Sequence, residues 1–246
     1  MSLMTDEIKK ILLLDRTTNG NIIWATAERA AEEIQIDDIE LIIPRWKKNR
    51  AHQKFRTRAR AEIFTPPEVC AMQNDLVAGD ERDWKNFIRA KFLEITCGEA
   101  PYIVSRYNAV TGEPIEISER VGLLDRKLRV VSRETKAPVD WINFSTQALQ
   151  SVYGYEFQGD NLFLARRNIF LTVEDFFAEK FSAKPPEDFL LRVAEIISWN
   201  FFQMDGLTNS PPFTDKENLF GGANCRIKDW TTGEVIEFWS LAKRQL

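Results

Sequence analysis

Phe92-Leu93-Glu94-Ile95-Thr96-Cys97-Gly98-Glu99-Ala100-Pro101-Tyr102 starts as a short apolar run and ends in a glycine-bearing turn, the pattern of a buried parallel strand entering a tight loop. A second run, Val152-Tyr153-Gly154-Tyr155-Glu156, closes on a carboxylate and is a second strand candidate. Helical patterns lie between and after them. Trp141–Val152 carries apolar Ile142, Phe144, Ala148, Leu149 and Val152, and Asp160–Phe181 and Phe189–Phe202 follow. Strands alternating with helices predict an α/β fold with a mainly parallel sheet covered by helices. In such a sheet ligands sit where the first two strands end. The first loop needs glycine so that its backbone can approach a cofactor, and the second strand needs an acid for ribose hydroxyls. Gly98 and Glu156 occupy those two places. Taken singly, each also reads as an ordinary turn glycine or a strand-end charge.

Upstream, Ile11–Thr26 reads as a short strand or helix end, a Thr-Asn-Gly turn and a second apolar run, and Ala27–Glu33 as a helix former. Arg45–Arg60 holds eight Lys or Arg in sixteen positions and no acid. That charge is enough to neutralise several phosphates, or to make a solvated helix face. Thr65 before Pro66 and Pro67 is a natural helix start, with Val69, Met72, Leu76 and Val77 at helical spacing behind it. Asn108–Glu119 is a surface loop or hairpin, and Cys225–Trp230 and Val235–Trp239 are strand-like pieces joined by Thr231-Thr232-Gly233. Trp141, Phe144, Phe176, Phe177, Trp199, Phe201 and Phe202 read as core. The expected division is an N-terminal cap with the basic segment over residues 1–60 and the α/β domain over 61–246.

Hydrophobic residues at 44% and charged residues at 28% are ordinary globular composition. A net charge of −4 argues against indiscriminate coating of nucleic acid. Cys70, Cys97 and Cys225 are odd in number and without CxxC spacing, and His52 is the single histidine. This argues against a metal site and for a reduced, cytoplasmic protein. No run approaches the roughly 18 apolar residues of a membrane helix, and the N-terminus has no signal-peptide pattern.

With their flanking segments, the two strand runs resemble the N6-adenine DNA methyltransferases of restriction–modification systems, in the group whose Phe-Thr-Pro element precedes the first strand. Arg60-Ala61-Glu62-Ile63-Phe64-Thr65-Pro66 is similar to the opening motif, which embraces the methionine end of S-adenosylmethionine. Leu93–Tyr102 is similar to the cofactor loop, Tyr153–Phe157 with Leu164–Ile169 to the second-strand acid and its helix, and Asn200–Leu207 to the motif whose aspartate receives the adenine amino group. The resemblance spans roughly residues 55–210. The combination LEITCGEAPY, RVGLLDRKLRVV, YGYEFQGDN and ISWNFFQMDG is also similar to bacterial proteins labelled as methylation subunits of such systems.

The resemblance implies a Rossmann-like S-adenosylmethionine-dependent sheet, mainly parallel with helices on both faces. The implied cofactor residues are Phe64, Thr65, Pro66, Glu94, Thr96, Cys97, Gly98, Glu99, Ala100, Pro101, Glu156, Phe157, Asp205 and Gly206. Ala100 stands where the family has its second glycine; its methyl is tolerable at negative φ but would crowd a cofactor held against the backbone. Pro101 removes an N–H at a helix start, where none is required. Glu94 replaces the common aspartate and still reaches a methionine amino group.

Asn209-Ser210-Pro211-Pro212-Phe213 supplies the polar, prolyl and aromatic groups with which the family accepts the target amine's hydrogens and stacks on an extruded base. It lies three residues beyond Gly206, where the family inserts a helix and a strand, and Ser-Pro-Pro is also an ordinary loop tripeptide. The 33 residues after Phe213 are too few for the usual final strands and a separate recognition domain. The expectation is therefore a DNA methyltransferase, adenine N6, or the methylation subunit of a restriction–modification system. The alternative is a non-catalytic subunit that binds cofactor or DNA beside a restriction or specificity partner. A nuclease built on Asp229, Glu237 and Lys243 is a third reading, with a Glu–Lys spacing too wide for a usual metal-nuclease pair.

Overall fold

The computed structural model describes residues 4–60, 62–214 and 224–243. Its centre is a three-stranded parallel sheet ordered β1-β2-β3, made of Phe92–Glu94, Val152–Glu156 and Phe201–Gln203. Leu93 pairs with Tyr153, and Tyr155 with Phe202. Parallel neighbours require long crossovers, and helix pairs supply them. α5 (Leu123–Glu134) and α6 (Pro138–Gln150) join β1 to β2, and α7 (Gly159–Phe181) and α8 (Glu187–Asn200) join β2 to β3. An antiparallel hairpin, β4 (Arg226–Lys228) with β5 (Val235–Glu237), packs Ile227, Ile236 and Phe238 near Phe202 and Tyr155.

The helices start where local chemistry allows. In α1 (Asp6–Leu13), Thr5 accepts a hydrogen bond from the Ile8 N–H, and Asp6 and Glu7 sit in the positive first turn. α3 (Pro67–Val77) and α6 each open on a proline, whose missing N–H has no helical partner to lose. α2 covers Arg50–Arg60, α4 Trp84–Arg89 and α9 Ser240–Lys243.

The N-terminal residues share the core of the sheet domain, with Ile8, Leu12, Ile22 and Ile34 in one cluster with Leu128, Phe163 and Phe201. Fully buried Arg166 fastens the layers together. Its guanidinium donates to the carbonyls of Leu12 at 2.6 Å, Leu14 at 3.0 Å, Phe201 at 2.8 Å and Ser198 at 3.3 Å. Backbone approach is equally close at Gly159, where a Cβ would stand 2.0 Å from the Ile23 carbonyl oxygen.

Three expectations change. Ala27–Glu33 is not helical: Trp24, Ala25 and Thr26 donate to the carbonyls of Glu32, Ala30 and Arg29, making a tight reversal closed by Arg29 stacked 4.3 Å over Trp24. α3 forms, but its Met72, Leu76 and Val77 are exposed while Cys70 and Asn74 are buried. Phe201 and Phe202 belong to β3 rather than to the preceding helix. Three parallel strands flanked by helices are what the described residues contain of the expected larger sheet.

Candidate functional site

The carboxyl ends of the three strands open on a cavity of about 730 Å³. Thr96 and Gly98 line it after β1, Glu156 and Phe157 after β2, and Asp205, Pro211 and Phe213 after β3. Glu62, Ile63 and Phe64 close it from the segment ahead of α3. Four separate stretches named by sequence reasoning therefore meet in one place.

The loop after β1 has an unusual backbone. Thr96, Gly98 and Ala100 all take left-handed φ, at 51°, 56° and 64°. Ala100 thus adopts the glycine conformation rather than the negative φ under which its methyl is comfortable, and it is buried. Cys97 donates to the Tyr155 carbonyl at 2.9 Å, pinning the loop to β2. Gly98 N–H donates to Glu156 Oε2 at 2.9 Å, and a Cβ on Gly98 would touch the Phe64 ring at 3.6 Å. No helix starts at Pro101: the chain runs through turns and a short 3-10 segment, Ile117–Glu119, before α5 begins at Leu123.

Glu156 is buried on the cavity floor, accepting from Gly98 and, at 3.1 Å, from the Gln158 N–H. Burial pushes its carboxyl up to about 7 against those two hydrogen bonds. Burial also raises Glu94 to about 7. Glu99 turns away from the cavity, accepting from Arg45 N–H at 2.7 Å and from the Tyr107 hydroxyl, and burial holds it near about 7. Cys97, also buried, has its thiol pushed well up by desolvation.

The other predicted residues divide. Thr65 and Pro66 lead into α3 and do not line the cavity, whereas Phe64 does. Asp205 Oδ1 accepts from Leu207 N–H at 2.9 Å, and Gly206 lies behind it, where a Cβ would meet Tyr155 Oη at 2.9 Å. Pro211 and Phe213 face the cavity, with Phe213 set edge-on to Phe157 at 5.6 Å. Asn209 lines a separate apolar groove between β1, β2 and the hairpin. The Ser210 hydroxyl pairs with that of Thr208 at 2.7 Å, and the Pro211 carbonyl already accepts from Thr214 Oγ1 at 2.6 Å. Pro212 is buried beside them.

The basic segment is not a free arm. Arg56 and Lys48 are buried: Arg56 bonds Glu62 and, at 2.8 Å, Asp160, and Lys48 reaches Asp160 at 3.3 Å. Arg45 stands 3.7 Å from Glu62. Lys47, Arg50, Lys54 and Arg58 remain exposed on the outer side. Sequence reasoning did not single out Glu62, Gln158 or Asn161 as site residues; the one sign was an acid placed directly behind a basic run.

Among the described residues, no lysine or arginine lines the cavity, and no group of three or more His, Cys, Asp or Glu could hold a metal ion. Asp229 and Glu237 flank opposite ends of the β4–β5 pairing; the side chain of Lys243 lies outside the described residues. No described helix is long and apolar enough to cross a membrane. Comparison with protein-family models, curated proteins and solved structures finds no match to this chain.

Proposed function

We propose that the cavity binds S-adenosylmethionine and that the protein serves DNA methylation, at adenine N6, within a restriction–modification system. The observation that carries the reading is the joining of Gly98 to Glu156 on the floor of a cavity at the carboxyl ends of parallel strands. A dinucleotide cofactor would place its pyrophosphate at a helix N-terminus. Here the loop after β1 runs into turns, and the N–H groups of Gln158, Gly159 and Asn161 at the start of α7 are taken by Glu156, Trp24 and Asp160. The cavity wall carries acids without a described cation. That setting suits an adenosyl sulfonium better than a phosphate.

In this reading Glu156 accepts the ribose hydroxyls, Asp205 the adenine amino group, Phe157 flanks the adenine ring, and Phe213, edge-on to Phe157, faces the target base. S-adenosylmethionine supplies an already activated methyl group, so the protein's part is positioning. A second reading, a cofactor-binding subunit that does not itself transfer the methyl group, is favoured by the state of the Asn209–Phe213 turn. There the serine hydroxyl and the Pro211 carbonyl are already engaged, and Asn209 lines the other groove.

Titration calorimetry with S-adenosylmethionine tests the cofactor site, with binding by the native protein and loss in Asp205→Ala expected. Transfer of radiolabelled methyl groups to DNA, abolished in Phe213→Ala, separates the enzyme from the subunit. A protein that binds no adenosyl compound ends both readings.

A further inference from the structure

Gln158 and Asn161 lie on the cavity floor, only 3% and 1% exposed. Both amides aim their NH₂ groups at one atom. Gln158 Nε2 donates to Glu62 Oε2 at 3.4 Å, and Asn161 Nδ2 donates to the same oxygen at 3.2 Å. Their carbonyl oxygens, Gln158 Oε1 and Asn161 Oδ1, are buried and receive no hydrogen bond.

Glu62 sets this direction and is itself held. Arg56 Nε donates to the same Oε2, and Arg45 Nε stands 3.7 Å from Oε1. Turning either amide over would set a carbonyl oxygen against a carboxylate, so the hydrogen-bond network fixes which end faces Glu62. Two buried acceptors that no protein group satisfies cost free energy, and a ligand carrying donors relieves it. Glu156, two residues before Gln158, adds further acceptor capacity beside them. At this spot a phosphate or carboxylate would face the two amide carbonyls and the Glu156 carboxyl.

We propose that Gln158 and Asn161 form a donor-reading pair in this cavity, receiving a hydroxyl or ammonium group of the ligand through their two amide carbonyls. The inference rests on the adenosyl reading of the cavity and adds a recognition element to it. The donors come either from the ribose hydroxyls or from the ammonium of the amino-acid end. Glu62 is the positioning residue behind the pair, and through Arg56 it makes helix α2 part of the cavity floor.

The test is calorimetric titration of S-adenosylmethionine and of 5′-methylthioadenosine, which keeps the ribose and lacks the amino acid, into the full chain and its Gln158→Met and Asn161→Leu variants. Each variant removes a carbonyl, together with the NH₂ that donates to Glu62, at nearly constant side-chain size. Glu62→Gln, which loosens that anchor and keeps both carbonyls, separates the two losses. Gln158 precedes α7, so its replacement spares the helix. Loss of one such hydrogen bond weakens S-adenosylmethionine binding by about tenfold in each variant. Equal weakening of both ligands assigns the pair to the ribose hydroxyls; weakening of S-adenosylmethionine alone assigns it to the ammonium. Undiminished affinity for both ligands in both variants overturns the pair while leaving the adenosyl reading standing. Native protein that binds neither ligand overturns the adenosyl reading and the pair with it.

Discussion

Thr96 holds its left-handed φ of 51° while exposed at the cavity mouth, so its side chain gains little packing in return for the strain. Thr96→Gly is expected to raise unfolding stability by about 1 kcal/mol in urea denaturation, the gain from relieved strain exceeding the added chain entropy. Ala100 differs because its buried methyl would be lost along with the strain, and the two effects offset. The raised carboxyls act on stability through pH. Glu94, Glu99 and Glu156 stand at about 7 in the fold against an ordinary 4.5. Across that interval the folded chain keeps protons that the unfolded chain has released. Their contribution to stability therefore falls as pH rises from about 4.5 to about 7. Urea midpoints measured at pH 5, 6 and 7 should decline, and Glu156→Gln, which cannot ionise, should flatten the decline.

Helix α2 shows why a count of charges is a poor guide to the work an element does. Its Arg56 is enclosed by Glu62 and by Asp160, the latter 104 residues away in sequence. Arg56→Ala removes the cation shared by two buried carboxylates, leaving Asp160 with Lys48 and Glu62 with the two amides, and is expected to cost about 3 kcal/mol. Lys54→Ala and Arg58→Ala, on the outer face, should change stability by less than about 0.5 kcal/mol. If that face contacts DNA, each outer replacement also lowers the slope of log affinity against log salt by about 0.9. Denaturation of the three variants, with DNA binding at several salt concentrations, checks both expectations. The same contrast marks what the sequence made legible. β1, β2 and helices α6 to α8 announced themselves through apolar runs of the right length. The three residues of β3 continued the apolar pattern of α8 and were hidden by it. Ala27–Glu33 had helix-forming residues but no face to bury, and local hydrogen bonds with Trp24 to Thr26 took the backbone instead. In the site, Gly98 and Glu156 were readable because their places, in the loop after β1 and at the end of β2, bring them together. Gln158 and Asn161 were not, because their direction depends on a carboxylate almost a hundred residues away, as the separations of 96 and 99 attest.

At the scale of the molecule, the first sixty residues are part of the same packed body as the sheet. Ile8, Leu12, Ile22 and Ile34 lie in its core, and the carbonyls of Leu12 and Leu14 complete the ligation of Arg166. A chain shortened to begin at Arg45 would leave that guanidinium buried with two of its acceptors gone, and the core open beside α7 and α8. Such a chain is expected to lose cooperative thermal unfolding, as followed by circular dichroism, whereas the full chain retains it. The Arg166 clasp also has a bearing on how the protein is made. Leu12 leaves the ribosome 154 residues before the arginine that binds it, and Phe201 follows 35 residues later. The earliest part of the chain must therefore wait, unanchored, until nearly the whole sheet has been synthesised. Nascent chains stalled before β3 should still offer that N-terminal helix to chaperones and proteases, and release from them should coincide with the arrival of the last parallel strand.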